Sequence, residues 1–194
     1  LVYKKLISEN IDPIEKKPFF HFFPGSTAFS VATAGCNFRC LNCQNYEISQ
    51  LPKDHDQIVG RDVEPEKIVG DALGSHCKSI AYTYTETTIF FEYAYEIAKI
   101  ASQKAIKNVF VTNGYITREA LATIKPYLQA ANIDLKSFSS ETYKKLCGAR
   151  LEHVLDCIRS YKEMGIWIEI TTLIIPEIND SEHELRQIAG FIKS

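Results

Sequence analysis

The sequence predicts an α/β fold, a parallel sheet with helical crossovers that is either rolled toward a barrel or open. Two observations predict it. From residue 28 onward, short runs rich in Ile, Val, Tyr, Phe and Thr alternate with helical patterns, and such alternation builds parallel sheets with right-handed crossovers. Several of those runs lack polar alternation, as strands covered on both faces do.

The elements follow in order. Residues 1–27 read as an N-terminal accessory segment, a strand or hairpin, with the aromatic run Phe19-Phe20-His21-Phe22-Phe23 and a turn at Pro24-Gly25. Residues 28–194 form the core domain. Its first strand, Ala28–Ala34, leads directly into a cysteine loop. Pro65–His76 reads as a helix with Ile68, Val69, Ala72 and Leu73 on one face. Strands are predicted at Ser79–Thr85, Asn108–Thr112, Ala131–Leu135 and Ile166–Ile175. Leu151–Met164 places Leu151, Val154, Leu155 and Ile158 at the spacing of an amphipathic helix. Thr117 and Ser139 are suited to cap helices, and Ser181-x-x-Glu184 is a capping-box pattern.

Composition narrows the function classes. The chain has 194 residues, 45% of them hydrophobic, and a net charge of -2, which fits one domain with a sizeable core. A near-neutral chain with no Lys/Arg run longer than two residues carries no electrostatic footprint for nucleic acid. No window approaches the roughly 18 apolar residues of a membrane span. The opening LVYKKLISENIDPIEKKP lacks a secretory apolar core, so a cytoplasmic location is expected. The chain does not begin with Met and ends abruptly at Phe191-Ile192-Lys193-Ser194, as a piece of a longer polypeptide would.

Polar residues gather where the strands run out. The first strand ends at the cysteine loop, the second at Thr85-Glu86, the third at Thr112-Asn113-Gly114 and the fourth at Asp134-Leu135-Lys136. The fifth carries Thr171 and Thr172. The carboxyl edge of a parallel sheet is where ligands bind in barrels and open α/β sheets alike.

Cys36, Cys40 and Cys43 fall within the stretch AGCNFRCLNCQN. Three thiols suit neither a disulfide, which takes two, nor a closed zinc site, which takes four ligands and here would borrow His21, His55 or Cys77. A [4Fe–4S] cube takes one thiolate per iron, so three thiolates would leave one iron open to a reacting partner. Cys77, Cys147 and Cys157 are scattered and read as buried, inert thiols.

The Cys-x3-Cys-x2-Cys loop after the first strand resembles the radical S-adenosylmethionine (radical SAM) superfamily. The segments HFFPGS, TAGCNFRCLNCQN, IAYTYTETTIFFEYA, NVFVTNGY, NIDLKSF, YKKLCGARLEHVL and WIEITTLIIPEIND are similar to its pyruvate formate-lyase activating enzyme-like branch, and within it to the AmmeMemoRadiSam system radical SAM enzymes. The resemblance implies a partial (β/α)6 TIM-like barrel, here truncated after the fifth strand and its helix, so that the fifth strand would present an unpaired edge. It also implies a [4Fe–4S] cluster and S-adenosyl-L-methionine as cofactors, with reductive cleavage of SAM to a 5′-deoxyadenosyl radical that takes hydrogen from substrate.

Residue by residue, Cys36, Cys40 and Cys43 match the cluster ligands, and Glu86 the carboxylate that receives the SAM ammonium. Asn113 matches the lining of the SAM pocket, and Asp134 and Lys136 an Asp-x-Lys whose Lys meets the SAM carboxylate. The chain departs from the pattern at four places. Tyr84-Thr85 stand where related enzymes carry Gly-Gly, Asn42 where an aromatic residue faces the adenine, Thr87 where Pro is common, and Val111 where the activating enzymes carry Asp. The implied partners are a protein or small-molecule substrate and an electron donor such as flavodoxin or ferredoxin. The resemblance leaves open a glycyl-radical activase or another radical SAM reaction. A non-catalytic iron–sulfur or zinc protein on the same scaffold is the alternative.

Overall fold

Strand β1 (Lys5–Pro13) turns back on β2 (Thr27–Thr33) as an antiparallel pair, with Pro13 opposite Thr27 and Leu6 opposite Thr33. The computed structural model describes residues 1–194. After β2 come the cysteine loop, α1 (Tyr46–Asp54), the short β3 (Arg61–Asp62), α2 (Pro65–Gly74) and β4 (Ser79–Tyr82). Then α3 (Phe91–Gln103), β5 (Lys107–Thr112), α4 (Arg118–Ile124) and β6 (Ala130–Asp134) alternate. The chain ends with α5 (Ser140–Cys147), α6 (Leu151–Glu163), β7 (Trp167–Thr171) and α7 (Glu182–Lys193). One seven-stranded sheet runs β3-β1-β2-β4-β5-β6-β7, and β2, β4, β5, β6 and β7 are mutually parallel. The expected α/β class holds. From the N-terminal segment, β1 extends the sheet. On its outer side β7 pairs with no further strand; its only strand partner is β6.

The two faces of the sheet are covered differently. Phe29, Val31, Ile80, Tyr82, Phe110 and Ile133 belong to a core that includes Ile68 and Ala72 of α2, Tyr93 and Ile97 of α3, and Val154 and Ile158 of α6. This burial of large apolar side chains is the main stabilising term, at about 25 cal/mol per Å². On the other face, the small residues Ala28, Ala81, Val109 and Ala130 leave room for Ile14 and Phe19, which fold in from the connection between β1 and β2. Glu169 on β7 fastens that connection by accepting the backbone N–H groups of Phe20, His21 and Phe22 at 2.8, 3.2 and 3.1 Å.

A buried charge cluster joins the same segment to β4. Asp12 accepts hydrogen bonds from Ser30 Oγ (2.9 Å) and Tyr84 OH (2.5 Å) and pairs with Lys16 (2.8 Å) and the fully buried Lys17 (2.7 Å). Burial opposes its charge, but the bonds from Lys16, Lys17, Tyr84 and Ser30 outweigh burial and hold the carboxyl well below its usual range. Tyr84 has φ 64°, a left-handed conformation that costs an L side chain roughly 1–2 kcal/mol. The Asp12 bond and the Lys17 ammonium 4.1 Å from its ring centroid offset that strain. A glycine would adopt the same backbone without such anchors.

Where elements differ from expectation, the reason is local. The second core strand stops at Tyr82 instead of Thr85 because the chain turns at Tyr84. The fifth stops at Thr171, leaving Leu173 and Ile174 exposed in the following loop. Thr117 and Ser139 cap α4 and α5 as expected. Ser181 caps α7, but Glu184 does not complete the box. Its carboxylate instead accepts from Ser137 Oγ and the Phe138 N–H, at 2.5 and 2.7 Å, and so seats α7 beneath the loop after β6.

Candidate functional site

Four of the five parallel strands deliver a candidate side chain to their carboxyl ends. At the end of β2, Gly35 holds φ 112°, and a Cβ there would press to 3.1 Å from Ile89. The loop that follows is fixed by its backbone and by one aromatic side chain. Arg39 N–H donates to Cys147 O (3.1 Å) and Leu41 N–H to Leu146 O (2.9 Å). Phe38 is buried edge-on against Tyr115 and Tyr143, and its carbonyl accepts from Gln50 and Lys53, each at 3.0 Å.

The three loop thiols are free and half-buried. Cys36 Sγ accepts the Phe38 N–H (3.4 Å) and lies 3.8 Å from Asn113 Nδ2. Burial, then the nearby Glu86 charge, pushes its thiol up to about 12. Cys43 Sγ is 3.3 Å from Ser49 Oγ. The nearby Cys147 thiol, then burial, pushes the Cys40 thiol well up, with Lys136 opposing. Metal ligation must displace these thiol protons.

Glu86 opens the 3₁₀ turn Thr87–Phe90 and is 2% exposed. Its Oε1 accepts from Thr88 N (3.2 Å), Thr88 Oγ1 (2.8 Å) and Thr112 Oγ1 (2.8 Å), and its Oε2 from Asn113 N (2.8 Å). Burial raises its carboxyl pKa against the pull of those donors. One lone pair on Oε2 remains for a further donor. Asn113 donates from Nδ2 to Asn37 Oδ1 (2.7 Å). Its own Oδ1 is buried without a partner, as is the Oδ1 of Asn42. Gly114 completes the turn at φ 69°, where a Cβ would stand 2.8 Å from Ile133.

Across the site, Lys136 pairs with Asp134 at 2.8 Å. Burial works against its ammonium, but Asp134 outweighs burial and keeps it charged. Asn179, fully buried, donates to Lys136 O (2.8 Å) and Leu173 O (2.9 Å) and so ties the loops after β6 and β7 together.

The fold therefore places the residues singled out in the sequence in two neighbouring groups. Cys36, Asn113 and Glu86 are linked through Asn37 and Thr112; Cys40, Lys136 and Asp134 lie together beside α5. Cys77, Cys147 and Cys157 are buried as expected; of Cys147, sequence reasoning missed only that its backbone neighbours Cys40. It also missed Asn179 and the Asp12–Lys17–Tyr84 cluster. The borrowed zinc ligands are not assembled. Cys77 precedes β4 at the opposite, amino end of the strands, and His21 lies near Glu169. No three His, Cys, Asp or Glu side chains converge on a single metal ion. Thiols spread over a loop, beside two orphaned amide oxygens and an ammonium, fit a multi-iron cluster with a polar organic cosubstrate.

Comparison with known proteins points the same way. The chain is 46% identical over 191 residues to an uncharacterised protein of Methanocaldococcus jannaschii, covering 98% of this chain and 56% of that one. It is 21% identical to the pyruvate formate-lyase-activating enzyme of Clostridium pasteurianum (82% of this chain, 67% of that one). It is 26% identical to the GTP 3′,8-cyclase of Listeria monocytogenes (77% and 46%). The chain thus spans about half the length of the first and last of these relatives. Among solved structures, a domain of pyruvate-formate lyase-activating enzyme from Bacteroides vulgatus superposes with TM-score 0.56 at 23% identity, over 60% of this chain and 72% of that one. No helix is long and apolar enough to cross a membrane. The cofactors of radical SAM enzymes are a [4Fe–4S] cluster and S-adenosylmethionine. The superfamily signature matches residues 30–189, and the chain belongs to the Radical SAM superfamily.

Proposed function

We propose that Cys36, Cys40 and Cys43 hold a [4Fe–4S] cluster with one open iron, and that Glu86, Asn113, Asp134 and Lys136 form the SAM-binding surface beside it. One observation carries the reading. The three-thiol loop lies at the carboxyl ends of parallel strands, flanked by unpartnered amide oxygens and a charged lysine. When bound, the cluster and SAM supply reductive cleavage to a 5′-deoxyadenosyl radical that abstracts hydrogen from substrate.

The chain's own residues bind, orient and exclude. The free Oε2 lone pair of Glu86 is directed to the SAM ammonium, a charge-assisted bond. Lys136 turns part of its charge from Asp134 to the SAM carboxylate. The Oδ1 atoms of Asn113 and Asn42 accept N–H donors of the bound molecule. Ile14 and Phe19 pack over Ala28, Ala81, Val109 and Ala130, closing that face of the sheet to water, which suits a site where a radical must be contained.

The substrate is a partner protein if the chain works as the activating-enzyme relative's name describes, and generation of a glycyl radical on that partner is the reaction proposed for this case. The cyclase relative favours a second reading, a small-molecule substrate. In either case a one-electron donor such as flavodoxin or ferredoxin supplies the electron, and the reduced thiols suit a cytoplasmic home. Residues 1–27 act as an accessory segment on the radical SAM core of residues 28–194.

The test is SAM turnover by the anaerobically reconstituted chain with a chemical reductant. 5′-Deoxyadenosine in the wild type and none in Cys36→Ala, Cys40→Ala or Cys43→Ala supports the proposal. A stably loaded cluster that neither binds nor cleaves SAM supports a non-catalytic iron–sulfur protein instead.

A further inference from the structure

The cysteine loop and the loop after β5 are stitched together by one small side chain, Asn37. Its Nδ2 donates to the Tyr115 carbonyl at 3.3 Å, and its Oδ1 accepts from Asn113 Nδ2 at 2.7 Å. Gly114, at φ 69°, turns the backbone so that both partners meet the same amide. The adjacent Phe38 packs edge-on against the Tyr115 ring, with centroids 5.1 Å apart, which holds the two loops in register. On the far side, the Asn113 backbone N–H is fixed by Glu86 at 2.8 Å. Asn113 is thus held at its backbone by Glu86 and at its side chain by Asn37.

The order of donors and acceptors along this relay is set at one end. A backbone carbonyl only accepts, so Asn37 must turn its nitrogen to Tyr115 and its oxygen to Asn113. Asn113 in turn must present its nitrogen to Asn37, which leaves its oxygen on the other side of the amide. A reversed Asn113 amide would set oxygen against oxygen. The oxygen so directed is buried without a partner, in a residue only 6% exposed. A buried acceptor costs free energy until a ligand brings it a donor. We infer that Asn37 is a positioning residue: it locks the Asn113 side chain with its oxygen toward the bound cosubstrate, so that the site takes a hydrogen-bond donor there and rejects an acceptor. The inference rests on the reading that Asn113 lines the SAM surface. Asn37 itself acts only through Asn113.

The test is a double-mutant cycle. SAM binding is measured by calorimetry on cluster-loaded wild type, Asn37→Ala, Asn113→Ala and the double variant, with iron assayed in each. Asn37→Ala should hold wild-type iron and bind SAM roughly 2–10-fold more weakly, because the Asn113 amide is then free to turn. The double variant should bind no more weakly than Asn113→Ala alone. Losses that multiply in the double variant overturn the inference, as does wild-type affinity in Asn37→Ala. A second measurement needs no cluster. In the metal-free wild type, NMR should show the side-chain N–H hydrogens of Asn113 exchanging with solvent far more slowly than those of the exposed Gln187. Asn37→Ala should remove most of that protection. Equally fast exchange in the wild type, or full protection in Asn37→Ala, overturns the lock. A cluster-loaded wild type that binds no SAM refutes the reading on which the inference rests, even where the Asn113 protection is found, so the two failures are told apart.

Discussion

The Glu86 carboxylate accepts the Asn113 backbone N–H at 2.8 Å and the Thr112 hydroxyl at 2.8 Å, so one buried side chain bolts the end of β4 to the end of β5. That gives Glu86 two duties, because the proposed SAM ammonium uses the same carboxylate. Glu86→Ala would strand several buried donors, each costing about 1–3 kcal/mol. The expected outcome is a clear fall in denaturation midpoint of the metal-free protein together with loss of SAM binding. Glu86→Gln should recover part of the stability and little of the binding. Denaturant titration and calorimetry on the same preparations separate the two, and unchanged stability in Glu86→Ala would count against the strut.

Lys136 makes the opposite case. Its pair with Asp134 is partly open to solvent, at 21% and 37% side-chain exposure, and such pairs add at most about 1 kcal/mol. Lys136→Ala should therefore leave the unfolding midpoint nearly unmoved. It should weaken SAM by roughly 10–150-fold, the loss of a charged hydrogen bond worth about 1.5–3 kcal/mol. Calorimetry on cluster-loaded protein decides it, and equal affinity would remove Lys136 from the SAM surface.

Asp12 sets a pH dependence with a definite sign. Its folded carboxyl titrates well below the ordinary value of 3.8, so its contribution is complete above that value. The contribution is lost as pH falls from about 4 toward the folded value. Asp12→Asn should flatten that acid limb of the stability curve. Asp12→Ala leaves Lys17 buried and uncompensated and should cost about 3–5 kcal/mol near neutral pH. Stability profiles with identical acid limbs in wild type and Asp12→Asn would contradict the assignment.

Tyr84 offers a test of strain against anchoring. Tyr84→Phe removes only the bond to Asp12 and should cost about 1.5–3 kcal/mol. Tyr84→Gly loses that bond and the Lys17 contact but relieves the left-handed backbone, so its net cost should not exceed that of Tyr84→Phe by more than about 1 kcal/mol. A Tyr84→Gly variant far less stable than Tyr84→Phe would mean that the ring packs more than it anchors.

How much of this was legible depended on the range of each interaction. Strands β2, β4, β5, β6 and β7, the apolar face of α6 and the caps Thr117 and Ser139 are written in local patterns, though β4 and β7 are shorter than their patterns. On α2, Ile68, Val69 and Ala72 are buried while Leu73 is exposed. The carboxyl-edge residues Cys36, Glu86, Asn113 and Lys136 were legible because a parallel sheet delivers strand ends to one rim. The rest turned on partners remote in sequence. Ser181-x-x-Glu184 has the letters of a capping box, yet Glu184 is drawn away by Ser137 and Phe138. The nearness of Cys147 to Cys40 gave no local sign, because only the docking of α5 on the loop brings its backbone there. Glu169 gave no local sign that it would hold Phe20, His21 and Phe22.

Metal stoichiometry with SAM addition tests the central claim most directly. The protein is reconstituted anaerobically with iron and sulfide, assayed for iron, sulfide and zinc, then reduced and examined by EPR before and after SAM. The account expects about four irons and four sulfides per chain and a cluster signal that changes when SAM is added, because SAM reaches an open iron. Stoichiometric zinc with no retained iron, or a cluster signal indifferent to SAM, would contradict it.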